Sequence, residues 1–224
     1  MGYLTEAEHD IVSKAVAEAE LHTSGEIVTV LADRSDGYTD VALWWAIAVA
    51  FTAMSVFAYF PSFYLPKLDW LMGGWTHDWT PGQLMTIIIG IGLLKFFGTL
   101  AIQLWQPLKF LLVPGPVKKA RVRDAAIKHF KVGAERRTHG RTGVLVYLSM
   151  REHRAEIVAD EPIALKVPAE VWGEAMADML SEIRQGHLAE GLAAGIRDVG
   201  KVLAQEFPRH EDDVNELPDR LIEV

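Results

Sequence analysis

The most constraining feature of the sequence is an uncharged apolar stretch of twenty residues, 41–60. As a helix with a rise of 1.5 Å per residue, it would be about 30 Å long, which matches the hydrocarbon core of a bilayer. A second apolar stretch, 84–105, carries a single charge at Lys95. A hairpin buried in a soluble core is the alternative, but it would need more covering surface than this chain offers. The two stretches predict a transmembrane hairpin with spans at about 41–60 and 84–105.

The basic residues near the spans predict the orientation of the hairpin. The connecting loop carries one of them, Lys67. Five follow the second span: Lys109, Lys118, Lys119, Arg121 and Arg123. Since basic residues favour the cytoplasmic side, we expect a protein of the plasma (inner) membrane with two spans, both termini and the soluble domain in the cytoplasm, and the loop facing outward.

Lys95 lies near the middle of the second span, where a lysine costs a few kcal/mol even on lenient insertion scales. One interpretation is a transport or proton-relay group. The other is a tilted helix whose lysine reaches the interface or faces a partner helix. The spans contain no carboxylate that could pair with it, so we favour the second interpretation. A homo-oligomeric interface at Lys95 is the remaining functional possibility.

Composition excludes several classes of protein. The chain has no cysteine, which rules out disulfides, thiolate metal sites and cysteine nucleophiles. The net charge of −8 argues against nucleic acid as a partner. The charge is uneven: residues 41–115 are nearly neutral, whereas residues 116–157 are strongly basic and the two ends of the chain are acidic.

Helix and strand patterns flank the hairpin on both sides. Before it, a capping box at Thr5 and Glu8 opens an amphipathic helix, and a strand follows at 26–32. After it, the pattern predicts the following elements: a basic helix at 117–137, strands at 143–149 and 153–159, a helix opening at Pro168, a final helix after His187, and an acidic tail, 208–224, that is disordered or loosely docked.

The two flanking regions are predicted to form one domain. Residues 1–40 alone are too few to bury a core, so the strand at 26–32 must join the sheet made by 143–159. The soluble domain is therefore expected to comprise 1–40 and 117–207, interrupted by the hairpin region 41–116.

Four segments resemble the TPM-domain family. They are the Ser24-Gly25-Glu26-Ile27 start of the first strand, the glycine-led strand at 140–149, the arginine-then-strand segment at 151–160, and the late glycine-x-x-x-x-glycine segment at 184–192. The resemblance implies an α/β fold, a three-layer α/β/α sandwich. Some family members are described as acid phosphatases that use bound divalent cations, others as assembly or repair factors for membrane complexes.

Acidic residues after the predicted strands are the metal-binding candidates. They are Asp33, Glu152, Asp160 and Glu161. Carboxylate oxygens hold hard cations such as Ca²⁺ or Mg²⁺, and strand ends are where open α/β sheets bind ligands. His153 or His187 would assist as ligand or general acid. The alternative is that these acids are turn residues and solvated surface charges.

A basic loop precedes the glycine-led strand. Its arginines are Arg136, Arg137 and Arg141, which would contact either a phosphate group or anionic lipid. The preceding basic helix leaves the membrane directly. We therefore favour contact with lipid, or side chains that are merely solvated, over contact with phosphate.

Two functions remain. The first is a membrane-anchored, non-catalytic module that contacts the lipid bilayer and binds or helps assemble other membrane proteins. The second is a divalent-cation-dependent acid phosphatase at the cytoplasmic membrane surface. The sequence favours the first, because Glu152-His153 and His187 stand where the family is usually more acidic.

Overall fold

The computed structural model describes residues 2–71, 73, 78–133, 142–209 and 215–224. Its helices and strands in chain order are α1 (Glu6–Glu20), β1 (Glu26–Ala32), α2 (Thr39–Tyr59), α3 (Pro61–Leu71), α4 (Pro81–Ile102), α5 (Gln106–Leu112), α6 (Gly115–Gly133), β2 (Gly143–Ser149), β3 (Arg154–Ala159), α7 (Glu161–Lys166), α8 (Ala169–Arg184), α9 (Leu188–Glu206) and β4 (Ile222–Glu223).

The chain divides into two compact units. One comprises Met1–Asp36 and Gly115–Val224 and contains all the strands described; we call it the sheet unit. The other, Gly37–Pro114, contains α2 to α5; we call it the hairpin unit. The first helix of the sheet unit begins with the expected capping box, in which the Thr5 hydroxyl accepts the Glu8 N–H and the Glu8 carboxylate accepts the Thr5 N–H.

The sheet has the strand order β3-β2-β1-β4, and the α/β class is confirmed. The strand before the hairpin does join the strands after it. β1 and β2 are parallel, with Glu26 opposite Gly143 and Ala32 opposite Ser149. β3 is antiparallel to β2, as a turn of only four residues between them requires.

Both faces of the sheet are covered by helices. Successive residues of β1 and β2 point to opposite faces, and all of them are buried. One face packs against α1, α8 and α9, with Ile27 and Val146 in its core. The other packs against α6, with Val28 and Leu145 in its core. Burial on both faces explains why the sequences of β1 and β2 are nearly continuous apolar runs.

The acidic tail joins the sheet, so the expectation of a disordered or loosely docked tail was wrong for residues 215–224. β4 pairs in parallel with β1, with Ile222 opposite Val30. Leu217 and Leu221 are buried. These two leucines, set among acidic and polar residues, are too sparse to produce a periodic apolar pattern, yet they suffice to dock a short strand at the open edge of the sheet.

In the hairpin unit, α2 and α4 pack together through small residues. Ala42, Ala46 and Ala50 recur every four residues on the buried side of α2. Gly92 is buried on α4, and a Cβ added to it would lie 2.5 Å from the Met54 sulfur. Helices approach closely in membranes through such spacings of small residues.

The remaining surface of these two helices is apolar and exposed. Trp44 and Leu94 are each 71% exposed. In the most apolar 18-residue window of each helix, only 22% of α2 and 6% of α4 is buried. A core helix of a soluble protein would be mostly covered, so length, composition and exposure together fit helices that cross a membrane.

Candidate functional site

The strand ends define two edges of the sheet. β1 and β2 finish together at Ala32 and Ser149, and we call this end the carboxyl edge; they begin together at Glu26 and Gly143, which we call the amino edge. Asp33 follows β1 directly, and Glu152 lies in the turn after β2. Two of the four predicted acids therefore share the carboxyl edge.

The other two predicted acids lie at the opposite end of the sheet. Because β3 runs antiparallel to β2, it ends beside Val144, at the amino edge. Asp160 is fixed there by Gly143: its N–H donates to the Gly143 carbonyl at 2.9 Å, and its carboxylate accepts the Gly143 N–H at 3.0 Å. Glu161 then begins α7. The structure thus divides the four acids between two edges instead of gathering them at one.

Asp33 is held by two side chains at the carboxyl edge. The Arg151 Nε donates to both of its carboxylate oxygens at 3.0 Å, and the Tyr3 hydroxyl donates to Oδ1. The bond from Tyr3 and then that from Arg151 hold the pKa of Asp33 below its usual value. The same contacts raise the pKa of Tyr3 and of Arg151. Asp33 is therefore an ionised carboxylate with both oxygens engaged.

Glu152 is buried and engaged in the same way. Its Oε2 accepts the hydroxyl of Ser149, the last residue of β2. Its Oε1 accepts the backbone N–H of Ser35 at 3.0 Å. The carboxylate thereby ties the loop after β1 to the turn after β2.

A buried tyrosine extends this network under the carboxyl edge. The Tyr147 hydroxyl lies 3.1 Å from the Ser35 hydroxyl, and its ring stacks on His129 with centroids 5.5 Å apart. Burial raises the pKa of Tyr147 and lowers the pKa of His129, so both groups are neutral near pH 7. Sequence reasoning missed these residues. The available signal was a tyrosine inside a fully buried strand, whose hydroxyl needs a polar partner.

The carboxyl edge does not fit a divalent cation. Within the described residues, no three His, Asp or Glu side chains lie close enough together to hold a metal ion. Glu152 is not among the described residues with a buried side-chain oxygen lacking a hydrogen bond. The carboxylate of Asp33 is already hydrogen-bonded to the Arg151 guanidinium and the Tyr3 hydroxyl. The edge is a closed set of ion pairs and hydrogen bonds, and not an open set of ligands.

The predicted histidines stand apart from this set. His153 is exposed in the turn, with a backbone φ of 50°. His187 is exposed, and its Nδ1 lies 3.3 Å from Glu182. Neither has a described contact with Asp33 or Glu152. Arg136, Arg137 and Arg141 lie outside the described residues, so their contact with phosphate or lipid stays a prediction.

Comparison with known proteins finds one matching family model. Residues 117–202 match the sequence model of the TPM domain. This part of the chain is similar to the TPM domain. The match begins within α6 and ends within α9, and it includes Glu152 but not Asp33. The resemblance is thereby confirmed for the three segments at 140–149, 151–160 and 184–192, whereas the segment that begins the first strand lies outside the match.

Among solved structures, the chain is similar to the BA42 protein of the psychrophilic bacterium Bizionia argentinensis, determined by NMR. The TM-score is 0.57 at 19% sequence identity, and the alignment covers 100% of this chain and 97% of that chain. At this identity the likeness shows a shared fold. No curated protein matches the chain by sequence.

Proposed function

We propose that the protein is a membrane-anchored TPM module that binds or helps assemble other membrane proteins and does not hydrolyse phosphate esters. The observation that carries this proposal is the closed carboxyl edge. Asp33 is occupied by Arg151 and Tyr3, and Glu152 by Ser149 and the Ser35 backbone.

Metal-dependent hydrolysis of a phosphate ester has two requirements, and this edge does not meet the first of them. The metal needs several converging oxygen ligands, and the phosphate needs a cation to hold it. At the carboxyl edge the guanidinium of Arg151 is bound by Asp33 through both carboxylate oxygens, and the exposed Arg34 directly follows Asp33 in the chain. Opening the site for a metal would first require that ion pair to separate.

The hairpin unit supports membrane anchoring. α2 and α4 have 21 and 22 residues, and each exposes most of its apolar surface. The excess of basic residues after the second span favours a cytoplasmic sheet unit. In that position the sheet unit can contact the cytoplasmic parts of neighbouring membrane proteins while the hairpin holds it at the bilayer.

Phosphatase activity is tested on the full chain, purified in an uncharged detergent. A generic phosphate ester is supplied over a range of pH, with Ca²⁺, with Mg²⁺ or with a chelator. We expect no turnover that the chelator removes. Turnover that depends on the cation and is abolished in Asp33→Asn and Glu152→Gln would establish the alternative, an acid phosphatase.

The topology is tested by reporter fusions at the two termini and between the spans. We expect cytoplasmic signals from both termini and an outward signal from the loop. An outward signal from either terminus would overturn the proposed orientation. The assembly role is tested by native electrophoresis of mildly solubilised membranes: the full chain should migrate in assemblies, and the hairpin unit alone should not.

A further inference from the structure

One lateral side of the sheet has no strand against it in the part of the chain that the structure describes. β3 stands at the end of the strand order and pairs with β2 on its inner side. In an antiparallel pair, bonded and non-bonded residues alternate, and Asp160 is bonded to Gly143. The residues one position out of step, Ala155, Ile157 and Ala159, therefore direct their N–H and C=O groups away from β2. We call this outward backbone of β3 the β3 border.

The opposite side of the sheet shows how this fold accepts an added strand. There β4, from the end of the chain, pairs in parallel with β1. The Asp33 N–H donates to the Val224 carbonyl at 2.8 Å, and the Val224 N–H donates to Leu31 at 3.0 Å. β4 has two residues, whereas β3 has six and no equivalent neighbour among the described residues. The β3 border can therefore pair with a longer segment than the one that β1 accepts.

The two faces beside the β3 border differ in chemistry. Side chains alternate between the faces along a strand. Ala155, Ile157 and Ala159 are half-buried and pack against the apolar cluster to which α8 contributes. Glu156 lies on the other face, beside α6, where its carboxylate is 3.8 Å from the Arg123 guanidinium. A strand added here would place its side chains alternately beside an apolar surface and a charged one.

The charged face is basic. α6 carries six basic residues and one acidic residue. Three bases surround Glu156: Arg123, Lys119 and Arg154. Burial raises the pKa of Glu156, whereas these three bases act in the opposite direction. Arg154 is weakly engaged, since its Nη2 lies 3.5 Å from the Gly115 carbonyl and its buried Nε has no hydrogen bond within the described residues. This surface therefore favours an anionic partner.

We propose that the β3 border binds an extended cytoplasmic segment of a partner membrane protein, in which acidic and apolar residues alternate and which adds to the sheet as a strand beside β3. The proposal rests on the assembly role proposed above and names the surface that performs it. Backbone bonds to the β3 border supply affinity, and the alternating side chains supply specificity. The acidic side chains lie toward Lys119 and Arg123, and the apolar ones toward the α8 side.

Charge and hydrogen bonding disfavour two other occupants. A second copy of this chain, pairing β3 with β3, would bring its own three bases against those of the first copy. An anionic bilayer would attract the bases but has no backbone groups that can pair with the β3 border.

The probe is a fluorescent ten-residue peptide with four Glu-Val repeats between terminal glycines. It is titrated with the full chain in an uncharged detergent and followed by anisotropy. We expect saturable binding, at least about tenfold tighter than that of a peptide with lysine at each glutamate or with proline at two of the valines, because proline lacks the N–H needed for pairing. Amide hydrogen exchange should slow at Ala155, Ile157 and Ala159 in the bound chain.

Two variants test the two halves of the surface. Ala155→Pro removes one outward N–H while the bonds from β3 to β2 remain, and it should weaken binding by at least about tenfold. Arg123→Ala, at a side chain that is 65% exposed, should weaken it several-fold without affecting the fold. Lys128→Ala is the matched control, since Lys128 is an exposed base of the same helix and is not among the bases around Glu156. Circular dichroism and melting temperature check that each variant is folded.

Several results would overturn the proposal. Equal binding of the lysine or proline peptide, or equal losses in Arg123→Ala and Lys128→Ala, would show diffuse attraction between charges. A dimer of the full chain that is lost in Ala155→Pro, without peptide binding, would assign the β3 border to a second copy. Flotation with anionic vesicles that is lost in Arg123→Ala, again without peptide binding, would assign the basic face to lipid.

Native electrophoresis separates a failure of this site from a failure of the assembly role. Assemblies that persist unchanged in folded Ala155→Pro would overturn the β3 border as the docking site and leave the assembly role standing. The absence of assemblies in the unchanged chain would contradict the assembly role, and the peptide titration would still decide whether the β3 border accepts a strand.

Discussion

Arg151 binds Asp33 through one nitrogen, Nε, which lies 3.0 Å from each carboxylate oxygen. The contact joins the residue after β1 to the turn after β2. Backbone bonds run alongside it: the Met150 N–H donates to Ala32, and the Arg151 N–H donates to Asp33. The parallel pairing of the two strands therefore continues past their ends, and the position that would otherwise bind a ligand is used to close the edge.

Two substitutions at the carboxyl edge should lower the free energy of unfolding by different amounts. Both side chains of the Arg151–Asp33 pair are 38% exposed, so Arg151→Ala should lower the free energy of unfolding by only about 0.5–1 kcal/mol. Glu152 is buried, and Glu152→Ala leaves the Ser149 hydroxyl and the Ser35 N–H without an acceptor, which should cost about 2–4 kcal/mol. Urea unfolding of the sheet unit compares them, and a larger loss in Arg151→Ala would contradict the network described.

The sheet unit should fold without the hairpin unit. Asp36 and α6 are already close, since Arg121 Nε lies 3.2 Å from the Asp36 carboxylate. Joining residue 36 to residue 115 through a short glycine-serine linker should therefore give a soluble protein with helical circular dichroism and a cooperative urea transition. A chain that shows no cooperative transition would mean that the sheet unit depends on the hairpin.

The last ten residues should contribute strongly to that stability. Leu217 and Leu221 are 6% and 5% exposed, and β4 supplies backbone hydrogen bonds to β1. Truncating either leucine to alanine should lower the free energy of unfolding by about 2–3 kcal/mol. Leu165→Ala, at a site that is 82% exposed, is the control and should change it little. Equal effects at all three sites would contradict the docking of the tail.

The sequence predicted the elements that have a strong periodic signal. The capping box located α1, largely apolar runs located β1, β2 and both long helices, and the amphipathic repeats located α8 and α9. The sequence also predicted that β1 pairs with strands that follow the hairpin in the chain, because residues 1–40 cannot bury a core alone.

The features that the sequence did not predict arise from the direction of a strand and from contacts between residues far apart in the chain. The four-residue turn between β2 and β3 requires an antiparallel strand, and that reversal carries Asp160 to the amino edge, away from Asp33. The partners of Asp33 could not be inferred, since Tyr3 reaches it from the N-terminal segment. The helices α5 and α7, of seven and six residues, have too few turns for periodicity to distinguish them from loops, and α3 contains Pro66, which is typical of a break in a helix.

The hairpin offers a matched pair of glycines on α4. A Cβ at Gly92 would lie 2.5 Å from the Met54 sulfur, whereas nothing lies within 4 Å of one at Gly90. Gly92→Leu should therefore separate α2 from α4 and lower the melting temperature of the full chain in detergent, and Gly90→Leu should not. Met54→Ala should rescue part of the loss in Gly92→Leu. Equal melting temperatures for the two leucine variants would contradict the packing of this hairpin.

The buried Glu20 should make stability depend on pH. Burial, followed by Glu26 and Asp219, raises its pKa to about 9 from an ordinary value near 4.5. Between these values the folded chain holds a proton that the unfolded chain has released. The stabilising protonated state is thus fully present below about pH 4.5, and stability is lost as the pH rises toward 9.

Glu20→Gln isolates this effect, because glutamine keeps the shape of the protonated side chain and does not titrate. Both proteins keep Glu26, Asp219 and Arg209 around the site, so the comparison changes residue 20 alone. In chelator, the variant should gain stability over the unchanged chain as the pH rises from 6 to 8, by up to about 1 kcal/mol per pH unit. Urea unfolding at several pH values measures the difference. Parallel stability curves would show that Glu20 is ionised in the folded chain and that its burial has been compensated by a group other than the proton.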